Sequence, residues 1–149
     1  MNWLKHPLKS FTMWFTTRKF AKILEEETMD IFLETLLKVM SLYLILNKKY
    51  RRNIQNFNAN YVFKSKDGII AASALFSNSK MKVLHKAVEN ASVVVIFKDG
   101  AALRNFLFSE SPDIIGAILD NEIQYTGNLN YLSKFAYMSK RLKLQLTGK

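Results

Sequence analysis

The apolar residues of this chain change period part-way along, and that change limits the folds open to it. Up to about Asn47 they recur at the three- and four-residue spacing of a helix face. From Tyr61 they alternate as the two faces of a strand do. Residues 1–24 read as an amphipathic helix with Pro7 in its first turn, where a missing N–H costs nothing. Leu4, Leu8, Phe11 and Phe15 form its apolar face beside Trp3 and Trp14, and Lys5, Lys9, Thr12 and Thr16 fall opposite. Acidic Glu25–Glu27 and Thr28 mark a break and a new helix start, since carboxylates favour the positive end of the peptide dipoles. A second helix over Thr28–Asn47 carries Met29, Phe32, Leu33, Leu36, Leu37, Met40, Tyr43 and Leu44 on one wide face. Ile31, Leu42, Ile45 and Leu46 widen that face further, which predicts burial on more than one side. The polar stretch Asn47–Asn60 reads as a hinge.

Strands are expected over Tyr61–Lys66 and Ile69–Phe76, joined by a tight turn at Asp67-Gly68, and again over Lys80–Leu84. Ala91–Phe97, with Val93, Val94, Val95 and Ile96 in succession, has the composition of a central strand covered on both faces. Gly100–Phe108 and Pro112–Leu119 read as helices, Glu122–Thr126 as a short strand and Asn128–Leu146 as a closing helix.

Composition narrows the chemistry. With 49% hydrophobic residues in 149, a packed core is expected. There is no Cys, so disulfides, thiolate metal sites and cysteine nucleophiles are excluded, in keeping with a reducing compartment. The two histidines, His6 and His85, are far apart in sequence. His85 and Glu89, four apart, suit a surface contact better than a metal site. The glycines are isolated, with neither a phosphate loop nor a Gly-x-Ser-x-Gly elbow, and Asp120 and Glu122 fall in a turn. The expectation is therefore no enzyme, no metal and no cofactor.

The formal charge of +10 is clustered: Lys5, Lys9, Arg18, Lys19 and Lys22 come first, then Lys48, Lys49, Arg51 and Arg52, then the C-terminal lysines and Arg141. Such clusters favour anionic partners, whether phospholipid headgroups, nucleic acid or acidic proteins. Nucleic acid is disfavoured because the aromatics lie on apolar faces instead of between basic residues. The Ile31–Leu46 stretch carries Glu34 and Lys38 and is too short between charges to span a bilayer. Lys9 interrupts any secretory h-region, while the acid-free first 24 residues also have the composition of a mitochondrial presequence. A cytoplasmic protein, peripheral on an anionic membrane through residues 3–24, is the expectation.

Three segments resemble the sterol-carrier-protein-2 family. Phe63-Lys64-Ser65-Lys66-Asp67-Gly68 is similar to its first β-turn-β. Ala91–Phe97 with Lys98-Asp99 matches its central strand and the step into a helix. Ile123-Gln124-Tyr125-Thr126-Gly127-Asn128-Leu129 resembles its last strand, Gly-Asn turn and closing helix. The chain departs from the family pattern at Asn121, where Gly is usual, and in a longer spacing from Pro112 to Gly127. The resemblance implies an α+β fold, a five-stranded, mostly antiparallel sheet covered on one face by helices. It divides the chain into residues 1–50, an N-terminal helical region, and residues 51–149, a lipid-binding domain.

It also implies a tunnel between sheet and helices for a sterol or hopanoid, a fatty acyl chain, or an isoprenoid quinone or its precursors. Its lining would be Tyr61 and Phe63, Met81 and Val83, Val93, Val95 and Phe97, and Ile123 and Tyr125, roofed by Leu129, Leu132, Phe135 and Met138. Tyr125 would offer a hydroxyl to a polar headgroup. The protein would carry its lipid or present it to a lipid-modifying enzyme. The alternatives are a nucleic-acid-binding module, and a scaffold whose first two helices build a homodimer.

Overall fold

The computed structural model describes residues 13–18, 20–21, 28–108 and 114–148. Residues 13–18 and 20–21 are helical; the rest of the predicted N-terminal helix lies outside the described residues. Helix α1 spans Met29–Leu46, α2 Lys48–Arg51, and a 3-10 turn Arg52–Ile54. Strands β1 (Ala59–Ser65), β2 (Ala71–Ser77), β3 (Lys80–Leu84) and β4 (Val93–Phe97) follow. They are succeeded by α3 (Gly100–Phe108), α4 (Ile114–Leu119), β5 (Ile123–Gly127) and α5 (Leu129–Thr147).

The five strands form one α+β sheet in the order β3-β2-β1-β4-β5, antiparallel except where β1 and β4 run parallel. The central strand is therefore β1, not the Val-rich β4, whose Val94 and Ile96 are only half-buried on the side away from the helices. The loop 85–92 crosses that side. Ser73 Oγ donates to the Lys86 carbonyl at 2.6 Å and accepts from Val88 N–H at 3.1 Å. The His85/Glu89 pair sits on this loop, exposed and off any helix.

The first hairpin is wider than a two-residue turn, because β1 ends at Ser65 and β2 starts at Ala71. Asp67 organises it: its carboxylate accepts from Ser65 Oγ at 2.6 Å and Ile69 N–H at 3.0 Å, bonds that hold its pKa below the usual carboxylate value. The tight turn is instead between β2 and β3, where Asn78 and Ser79 both take positive φ, 52° and 57°.

Asn47–Asn60 is not a hinge. Asn47 Oδ1 caps α2 by accepting from Tyr50 N–H at 2.8 Å, and Arg51 donates to the Leu44 and Ile45 carbonyls at the end of α1. Tyr50 is buried and donates its hydroxyl to the Met138 carbonyl at 2.8 Å. Phe32, Leu36, Leu37 and Met40 of α1 share one core with the sheet and with α5.

Asn121 explains the departure from glycine noted in sequence. It takes φ 57°, with its N–H on the Ile118 carbonyl and the Glu122 N–H on the Ala117 carbonyl, which closes α4 with a Schellman motif. Asn tolerates this left-handed position and Gly prefers it. Asn121→Gly is expected to stabilise the protein by about 1 kcal/mol or less, raising the melting temperature by up to ~2–4 °C. A thermal melt checks this, and a lower melting temperature would refute the strain.

Candidate lipid-binding site

Strand register gathers the predicted strand residues onto one face. Tyr61 is paired with Ala74 and Val93, Phe63 with Ala72 and Val95, Val95 with Tyr125, and Phe97 with Ile123. Phe76 is opposite Met81, and Ala74 opposite Val83. Helix α5 lays Leu132, Phe135 and Met138 over this face, and α3 adds Leu103, Phe106 and Leu107. The aromatic rings interlock: Phe63 and Phe135 lie 4.7 Å apart, Tyr61 and Phe135 5.4 Å, Phe97 and Phe106 6.2 Å. The Tyr61 hydroxyl donates to the Tyr131 carbonyl at 2.6 Å, fixing α5 to the sheet. Burial raises the pKa of Tyr50 and Tyr61 well above the ordinary tyrosine value, which keeps both hydroxyls protonated as donors.

Among the described residues this face is closely packed. Tyr61, Phe63, Val93, Val95, Phe97, Ile123, Leu132, Phe135 and Met138 are buried to 0–1%, so no water-sized space borders them. Rings fill the layer that the resemblance left open, as dense interiors demand. Leu129 is 41% exposed at the start of α5. Tyr125 is half-buried against the core.

Space is found where α1 meets the β2–β3 turn. A cavity of about 590 Å³ is lined by Ser41, Leu44 and Ile45 of α1, Arg51 of α2, and Asn78, Ser79, Lys80 and Met81. Of the predicted lining residues, Met81 borders it. Its half-buried strand neighbour Val83 lies on the same face of β3 and packs against the core. Ile45, one of the residues expected to widen the buried face of α1, is 68% exposed where it walls the cavity. A second space of about 340 Å³, lined by Lys48, Arg51, Arg52, Gln55 and Ser79, adjoins the first across Arg51 and Ser79. The surplus apolar residue at Ile45, followed at once by the Lys48–Arg52 cluster, was the sequence signal for this corner. Ser79 and Gln55 gave none, because their positions depend on a turn and on tertiary packing.

Among the described residues no helix is long and apolar enough to cross a membrane, and no three His, Asp or Glu side chains group to hold a metal.

No protein-family model and no curated protein matches the chain in sequence. Solved structures match it in shape. The structure described as "UbiJ-SCP2 Ubiquinone synthesis protein" superposes with a TM-score of 0.53 at 16% identity, over 72% of this chain and 94% of its own. Apo sterol carrier protein 2 from Yarrowia lipolytica gives 0.52 at 14% identity, over 82% and 95%. The chain has the sterol-carrier-protein-2 fold. The same fold forms part of a larger protein, the sec-alkylsulfatase Pisa1 from Pseudomonas sp., with a TM-score of 0.58 at 14% identity. There the sterol-carrier-like chain spans 16% of the enzyme's length.

Proposed function

We propose that this protein binds a lipid in a non-covalent, non-enzymatic way and carries it or presents it to a lipid-modifying enzyme. The observation that carries the reading is the 590 Å³ cavity with Leu44, Ile45 and Met81 in its wall, at one edge of a sterol-carrier fold. That volume lies within the range typical of small-molecule sites, and apolar walls with a few polar groups are their usual character. Met81 suits varied guests because its thioether chain adapts its shape. The cargo classes are a sterol or hopanoid, a fatty acyl chain, or an isoprenoid quinone or its precursors.

Burying roughly ten methylenes at ~0.8 kcal/mol each gives about 8 kcal/mol before entropic costs, which corresponds to micromolar affinity at best. A carrier that must release its cargo needs no more. Native mass spectrometry of protein taken from cells tests this directly and reports any homodimer too. Bound lipid is the expected result. Protein that copurifies with nucleic acid and binds no lipid would overturn the reading in favour of a nucleic-acid module.

Docking of residues 3–24 on an anionic membrane is the second part of the proposal. In the described portion the buried side is Thr16 and Phe20, with Phe20 edge-on to Phe108 at 5.6 Å, which reverses the faces expected from sequence. Trp14 and Phe15 turn outward, 54% and 44% exposed, with the Arg18 guanidinium 5.1 Å from the Trp14 ring centre. Exposed aromatics beside a cation suit the headgroup layer. The double substitution Trp14→Ser with Phe15→Ser is expected to abolish flotation with phosphatidylserine vesicles and to leave the protein folded, at a cost of about 1–2 kcal/mol. Deleting residues 1–24 is a poorer test, since it also removes buried Phe20. Undiminished flotation of the double variant would refute this docking surface.

A further inference from the structure

The second space beside the apolar cavity has the chemistry of an anion site. Lys48, Arg51 and Arg52 supply three cations, Lys80 stands on the neighbouring wall, and Gln55 and Ser79 add an amide and a hydroxyl. No acidic residue occurs between Glu34 and Asp67, so the segment that builds this corner carries no carboxylate of its own. Among the described residues, the ion pair found is Lys38 with Glu34, and it leaves all four cations at this corner uncompensated by a carboxylate. Arg51 commits one guanidinium nitrogen, Nη1, to the Leu44 and Ile45 carbonyls; that bond holds it at the wall common to both spaces, with its other nitrogens available. Ser79 is held at the same wall by the left-handed turn, at a φ that non-glycine residues seldom adopt.

We propose that the ligand is an amphiphile bearing a phosphate, its apolar chain against Leu44, Ile45 and Met81 and its phosphate among Lys48, Arg51, Arg52, Gln55 and Ser79. This rests on the carrier reading and names the headgroup it takes. A phosphate monoester offers three terminal oxygens and nearly two charges, which matches clustered guanidinium and ammonium groups better than the single charge of a carboxylate. An uncharged hydroxyl or quinone would leave these cations crowded with no counter-charge.

Titration calorimetry of the full chain with dodecyl phosphate, dodecanoate, dodecanol and inorganic phosphate tests the proposal. Dodecyl phosphate is expected to bind about tenfold or more tighter than dodecanol, with the margin shrinking as salt is added. Lys48→Gln and Arg52→Gln, both at exposed positions, should narrow that margin and leave dodecanol unchanged. Ile45→Asn should weaken all three amphiphiles alike. Equal binding of dodecyl phosphate and dodecanol, both weakened by Ile45→Asn, overturns the phosphate site and leaves the carrier reading standing. Dodecanoate binding as well as dodecyl phosphate replaces phosphate with a carboxylate and overturns the assignment. Inorganic phosphate binding as tightly as dodecyl phosphate assigns the corner to a free anion and overturns the amphiphile. Failure of every amphiphile to bind removes the carrier reading and this site with it.

Discussion

Gly127→Ala is expected to cost ~3 kcal/mol or more, enough to leave little folded protein in moderate urea. Gly127 ends β5 at φ +104°, pairs with Val93, and turns the chain towards the Asn128 cap of α5. A Cβ there would collide with the Ser92 carbonyl oxygen and lie 2.9 Å from the Val93 Cα, main-chain atoms at the entry to the neighbouring strand. Side chains can swing aside; a paired strand cannot. Gly68→Ala is the matched control, since Gly68 also has positive φ, +77°, but has nothing within 4 Å of an added Cβ. It should lose only the backbone term, about 1–2 kcal/mol. Urea denaturation of the two variants separates conformational strain from collision, and equal losses would refute the close approach.

Val95→Trp is expected to be comparably severe, ~3 kcal/mol or more, a fall of roughly 6–12 °C in melting temperature. Val95 is fully buried between its strand partners Phe63 and Tyr125, and Phe63 is itself pressed on Phe135 at 4.7 Å. An indole has no space to take there without parting the sheet from α5. Binding of an apolar fluorescent probe to the variant that remains folded should persist, because the cavity beside Met81 lies at the other end of the sheet, on β3. The reverse pattern, an unchanged melting temperature with lost probe binding, would put the guest between the layers, on the residues the family resemblance implied.

Much of the fold was legible in the sequence because its signals are local. The alternation at Tyr61 and Phe63 set their common face, and the spacing of Leu132, Phe135 and Met138 set the inner side of α5. Asp99 before Gly100 acts as a helix cap, accepting from Ala102 N–H at 2.8 Å, where the step from strand to helix was expected. The errors came where several solutions satisfy the same pattern. Apolar alternation does not distinguish a lined tunnel from a filled layer, and nine of the residues implied for the tunnel are buried to 0–1%. A Val-rich run says that a strand is buried, not where it stands in the sheet. Helical spacing in residues 13–20 fits two faces, and the contact with Phe108, distant in sequence, selects Thr16 and Phe20. The edge cavity depends on α1, α2 and the Asn78-Ser79 turn converging, which no single segment encodes.

The two tyrosine hydroxyls that reach main-chain carbonyls of α5 bear on how the chain acquires its shape during synthesis. Tyr50 waits for the carbonyl of Met138, and Tyr61 for that of Tyr131, separations of 88 and 70 residues. All five strands leave the ribosome before α5, so Tyr61 and Phe63 gain their contacts with Phe135 only when that last helix arrives. A chain that ends before α5 therefore lacks both hydroxyl anchors and leaves the part of the apolar face under Leu132, Phe135 and Met138 uncovered.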